Sequence, residues 1–94
     1  MDSILQKNTT RCFICHSRSH LEFHHVFAGS NRSKSEKYGL KVRLCHECHN
    51  EPPRGVHQNS EMRKALQSFA QKKAMEYYGW SEDDFRERFH KSYL

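Results

Sequence analysis

Leu40-Lys41-Val42-Arg43-Leu44-Cys45-His46-Glu47-Cys48-His49 runs an alternating apolar segment straight into a CxxC pair followed at once by a histidine. Leu40, Val42 and Leu44 alternating with Lys41 and Arg43 is the pattern of a half-buried strand, which here delivers Cys45 to whatever the thiols bind. Two thiolates spaced by two residues can grip one face of a metal ion. A matching pair, Cys12 and Cys15, lies upstream with 29 residues between Cys15 and Cys45, so all four cysteines are used. Zinc closed by four thiolates leaves no position for water and contributes folding energy directly, so a Cys12, Cys15, Cys45, Cys48 site is expected to be structural.

The need for such a site follows from size. A chain of 94 residues with 35% apolar content cannot bury a large core and calls for an added cross-link. Disulfides and redox-active cysteines are the alternatives to zinc. Met1 to Lys7 lacks the apolar segment of a secretory signal, and no stretch approaches the roughly 20 apolar residues that span a bilayer. A cytoplasmic location without a membrane partner is therefore expected, where paired CxxC motifs favour metal over disulfide.

Between the cysteine pairs, Leu21-Glu22-Phe23-His24-His25-Val26-Phe27 is rich in strand formers, with 21, 23 and 25 on one face and 22 and 24 on the other. Ala28 to Ser35 carries turn chemistry and reads as a loop. Asn50-Glu51-Pro52-Pro53-Arg54-Gly55 cannot be helical, because proline removes donors and restricts the residue before it. From Ser60, Met62, Ala65, Leu66, Phe69, Ala70, Ala74 and Tyr77 recur at helical steps, and Gly79 is a stop signal. Ser81 then caps a second helix with Asp84 at capping-box spacing, followed by Phe85 and Phe89. The expected organisation is a flexible leader over 1–10 and one small α+β domain over 11–94. Its motifs occupy 11–57, with two antiparallel strands, and its helical part occupies 58–94.

Net charge is +5, and the distribution is uneven. Residues 1–59 carry nine Lys or Arg against five acids, whereas 60–94 carry seven against six. Arg32, Lys34, Lys37, Lys41, Arg43 and Arg54 are candidates for holding a DNA backbone, since neutralising phosphates releases condensed counterions. No base-reading motif accompanies them, so binding is expected to be mainly non-specific.

Seven of the eight histidines, His16, His20, His24, His25, His46, His49 and His57, fall between 16 and 57. With the thiolates assigned to one site, these imidazoles are available for another. His24 and His25 point to opposite faces of an ideal strand, so both serve one site only if the strand ends or twists there. His16, His20 and His46 read as flanking residues, and His90 as surface or packing.

CxxC, then His24-His25-Val26, then an apolar strand running into CxxC-His49 and a later His57, resembles the HNH endonucleases, a family with the ββα-metal fold. The resemblance covers about residues 12–57. Ser35 to Leu40, Gly55 to Asn59 and Phe89 to Leu94 look like a small HNH group encoded by bacteriophages and prophages. The resemblance implies a zinc-stapled ββα-metal core and a metal-dependent DNA endonuclease with low sequence specificity. By position, His25 matches the general base, and His24, His49 and His57 match the ligands of a catalytic divalent ion. Mg²⁺ or Mn²⁺ is implied, with Zn²⁺ or Ni²⁺ able to occupy such a site. The implied setting is a bacterial host cell, as a monomer or homodimer, with phage or host replication, recombination or packaging proteins as partners.

Those roles are physically coherent. Hydrolysis of a phosphodiester needs a base that works near neutral pH and a cation that polarises the phosphoryl group. Two departures from the family pattern stand out. Leu40 occupies the place where the family has an asparagine, and His49 and His57 are eight residues apart where the family's spacing is four. The alternative from a different class is a non-catalytic zinc-binding module that recognises nucleic acid or protein.

Overall fold

The computed structural model describes residues 1–94. Two strands, β1 (Leu21–His25) and β2 (Lys41–Cys45), pair antiparallel with Leu21 opposite Cys45 and His25 opposite Lys41. The alternation in β2 is realised as expected: Leu40, Val42 and Leu44 are buried. Their cross-strand partners on that face are His24, opposite Val42, and Glu22, opposite Leu44. Phe23 lies on the other face and is 42% exposed beneath the cations of Lys41 and Arg43, 5.0 and 4.7 Å from its ring centre.

Strand β1 is shorter than its composition suggests. Val26 still donates to Leu40 O at 3.0 Å, but Val26 and Phe27 have left the ladder and both are buried. The segment expected as a loop contains a 3₁₀ turn (Gly29–Asn31) and a helix, α1 (Arg32–Tyr38). Side chains that favour turns in isolation are here consumed by tertiary hydrogen bonds, which removes their competition with the helix. Ser35 is fully buried, accepting from Phe27 N at 3.1 Å and donating to Phe27 O at 2.7 Å. Asn31 donates to Phe89 O at 3.1 Å. Gly39 then ends α1 in the left-handed conformation, where Asp2 O would stand 2.5 Å from an added Cβ.

Residues 1–10 run along β2 rather than trailing free. Ile4 N bonds Gly39 O, Ser3 Oγ donates to Lys41 O, and Gln6 Oε1 accepts from Arg43 N. Ile4 and Leu5 pack against the core, so the expected leader closes the outer edge of the two-stranded sheet.

Helix α2 (His46–Asn50) follows β2 directly, and α3 (Ser60–Tyr78) and α4 (Glu82–Phe89) complete the chain. Asn59 caps α3, Gly79 ends it, and Ser81 with Asp84 forms the reciprocal capping box of α4. The buried row of α3 is Leu66, Ala70 and Ala74 with Gln71, and its four-residue step continues to Tyr78. Tyr77, which a three-residue step selects, is 62% exposed. Phe27 sits among Phe85, Phe89 and Tyr93, with ring centres 5.4, 5.0 and 4.7 Å away. Burying each phenylalanine contributes roughly 1.5–3 kcal/mol. No helix is long and apolar enough to cross a membrane.

Candidate functional site

Cys12 and Cys15 lie on the turn before β1, Cys45 ends β2 and Cys48 sits in α2. Their four sulfurs lie within 4.8 Å of one another, and all four cysteines are free. The 3.5 Å between Cys15 Sγ and Cys45 Sγ is far beyond a disulfide bond of about 2.05 Å. It is close to the ~3.8 Å separating two sulfurs on a tetrahedral zinc with Zn–S near 2.3 Å. Burial, then the neighbouring thiols, drives the Cys48 thiol far up. Cys12 is also pushed up by burial, but the backbone amides of Cys15, Cys45 and Ile14 outweigh this and bring it to about 7. Thiols in this state cannot all ionise on their own, and a divalent cation among them resolves the conflict. The four sulfurs can therefore hold a structural metal such as zinc.

Three of the imidazoles form a second cluster. The donor nitrogens of His24, His49 and His57 lie within 4.8 Å of one another. His49 Nε2 and His57 Nε2 are 3.1 Å apart, against about 3.3 Å for two nitrogens on a tetrahedral ion with metal–nitrogen distances of 2.0–2.1 Å. His24 is 4% exposed, and its Nε2 is buried without a hydrogen-bond partner. An unsatisfied buried nitrogen costs about 1–3 kcal/mol, so its presence beside two other imidazole nitrogens fits a metal ligand. Burial, reinforced by His49, His57 and His25, holds the His24 imidazole down at about 3. Burial and His49 also lower His57. Neutral imidazole is the form that ligates metal.

His57 is brought back beside His49 although eight residues separate them in the chain. Val56 N donates to Cys48 O at 2.9 Å and His57 N to His49 O at 3.2 Å, so the segment after the prolines folds back onto α2. Arg63 holds the same turn through Val56 O and His57 O at 3.2 and 3.3 Å.

Glu22 is a site residue that the strand pattern alone did not single out. It accepts from His49 Nδ1 at 2.7 Å and from Asn50 Nδ2 at 3.3 Å, and lies 3.5 Å from His46 Nδ1. A carboxylate on Nδ1–H fixes the tautomer that presents the Nε2 lone pair to the cluster. His49 and then His46 hold the Glu22 carboxyl below its ordinary range, although burial opposes them. The available signal was its position, two residues before His24 on the same face of β1.

His25 is not part of the three-nitrogen cluster. It ends β1 on the opposite face, and its Nε2 meets Glu36 Oε1 at 2.9 Å. Several cations expected at a DNA backbone are engaged within the protein. Lys41 pairs with Glu36 at 2.7 Å, Arg54 with Glu47 at 2.5 Å, and Lys34 donates to Arg88 O in the last turn of α4. Arg43 lies over Phe23 with a buried Nε. Arg32 and Lys37 are exposed on α1. His46 pairs with Glu51 at 2.9 Å, while His16, His20 and His90 are exposed.

Compared with family models, curated proteins and solved structures, the chain matches none of them.

Proposed function

We propose that this protein is a metal-dependent DNA endonuclease of the HNH type, with a zinc-stapled ββα-metal core. The observation that carries the reading is His24 Nε2, a buried nitrogen with no partner in the protein, beside the paired Nε2 atoms of His49 and His57. The order β1, β2, α2 supplies two of these histidines, and the turn after the prolines supplies the third.

Bound at His24, His49 and His57, Mg²⁺ or Mn²⁺, or Zn²⁺ or Ni²⁺, supplies a Lewis acid that polarises a phosphoryl group and offsets charge on the leaving oxygen. Glu22 keeps His49 in the ligating tautomer. His25 is the general base: it accepts a proton from the attacking water as the water oxygen bonds to phosphorus and one P–O ester bond breaks. His25 is the last residue of β1, next in the chain to His24 but on the other face of the strand. Arg32 and Lys37 offer exposed charge to phosphates, which favours binding without sequence preference.

A non-catalytic zinc-binding interaction module is the second reading, favoured by the internal pairing of Lys34, Lys41, Arg43 and Arg54. Plasmid cleavage separates the two. The nuclease nicks or cuts plasmid with Mg²⁺ or Mn²⁺, and His25→Ala lowers the rate by about 10²–10⁴-fold while zinc and DNA binding persist. Undiminished cleavage by His25→Ala excludes His25 as base, and an inert wild type with all four ions favours the module.

A further inference from the structure

The carboxylate of Glu36 joins the two members of one cross-strand pair, and its Oε2 also accepts from the Met1 ammonium at 3.3 Å. Oε1 lies 2.9 Å from His25 Nε2 and Oε2 lies 2.7 Å from Lys41 Nζ, and His25 and Lys41 face one another in the β1–β2 register. Both recipients are well covered, with side chains 10% and 12% exposed.

The local fold delivers Glu36 to this position. Its neighbour Ser35 is clipped to both backbone polar groups of Phe27, two residues beyond His25, and Leu40 N bonds Ser35 O at 2.8 Å. Helix α1 is thus tied at one residue to the segments that follow β1 and precede β2, and the adjacent side chain falls across the strand pair. Lys41 and then His25 hold the Glu36 carboxyl at about 2, so it is an acceptor at any working pH.

An ionised carboxylate can only accept, so a neutral His25 ring bonded to it carries its proton on Nε2. Nδ1 of His25 has no partner in the protein and is left as the lone-pair nitrogen. We propose that Glu36, itself anchored by Lys41, is the positioning residue of His25, fixing ring orientation and the tautomer in which Nδ1 faces the substrate. This rests on the nuclease reading for the role of His25. It also reassigns Lys41 from the DNA backbone to the support of the site.

The test uses the full zinc-loaded chain and two independent readouts. The ¹⁵N shifts of the His25 ring are expected to show Nε2–H in the wild type and a mixture of tautomers in Glu36→Ala. Plasmid cleavage with Mn²⁺ is expected to show kcat lower by about 10–100-fold in Glu36→Ala with KM little changed, the range typical for partners that orient a functional histidine. Glu36→Ala combined with His25→Ala should be no slower than His25→Ala alone. A His25 ring unchanged by Glu36→Ala, or additive losses in the double variant, in an active enzyme would overturn the inference about Glu36 and leave the nuclease reading standing. A wild type that cuts nothing while Nε2–H is retained would overturn the base assignment, and the inference with it.

Discussion

His57 Nε2 stands 3.1 Å from His49 Nε2 across a turn that contains Pro52 and Pro53. The turn achieves this by returning onto α2, with Gly55 N donating to Glu51 O at 2.7 Å. At Gly55 an added Cβ would stand 2.7 and 2.8 Å from Glu51 N and O, which are backbone atoms unable to swing away.

Gly55→Ala should therefore displace the turn and His57 with it. Overpacking of this kind costs about 1–3 kcal/mol, visible as a lower midpoint in urea. Mn²⁺ titration of the variant should show weaker binding at the histidines with zinc content unchanged. A variant as stable and as tightly binding as the wild type would mean that the close approach at Gly55 does not place His57.

Glu22→Ala removes the carboxylate from His49 Nδ1 and frees the ring to adopt either tautomer. Affinity for the divalent ion should fall by about 10–100-fold, as is usual when the outer partner of a ligating histidine is lost. Isothermal titration with Mn²⁺ or Ni²⁺ reads this directly, and equal affinities would argue that His49 is oriented by other contacts.

The sulfur site should control folding. With few large apolar side chains buried, the chain should depend on a metal held between the turn at Cys12 and the end of β2 at Cys45. Cys48→Ser, or a chelator strong enough to take zinc from thiolates, should abolish the cooperative thermal transition followed by circular dichroism. Retention of that transition in metal-free protein would show that the hydrophobic core suffices.

His24 makes stability depend on pH. Its folded-state pKa, about 3, lies below the ordinary 6.5, so between these values the unfolded chain binds the proton and the folded chain does not. The contribution is fully present above pH 6.5 and is lost as pH falls towards 3. Relative to His24→Leu, with no divalent ion added beyond zinc, wild-type stability should decline by about 1 kcal/mol between about pH 7.5 and 5.5. Urea unfolding at the two pH values tests this, and a pH-independent difference would place His24 in a polar, solvated environment.

The cysteine cluster was legible from spacing, whereas the His24, His49, His57 set came from position in the HNH resemblance and against the family's spacing. CxxC repeated across two strands brings four sulfurs together, and the three imidazoles that the resemblance picked out of seven do lie together. The capping box at Ser81 and the stop at Gly79 were likewise local signals, written in a few adjacent residues. What escaped depended on side-chain partners that no local pattern names. Helix α1 hides behind loop composition because Ser35 is engaged by the backbone of Phe27 and the Asn31 amide donates to Phe89 O, 58 residues away. Lys34, Lys41 and Arg54 read as free charge until Arg88, Glu36 and Glu47 are seen to occupy them. The outward turn of Phe23 follows from Val42 and Leu44 claiming the inner face of the sheet, a choice made by register rather than by β1 itself.

The central claim is a second divalent ion held by nitrogen, separate from the one held by sulfur. Anomalous diffraction from crystals soaked in Mn²⁺ measures this most directly. The account predicts a manganese peak about 2.0–2.3 Å from the ligating nitrogens of His24, His49 and His57, a range taken from imidazole and oxygen ligation distances. A single peak among the cysteines, with no density between the three imidazoles at saturating Mn²⁺, would contradict it.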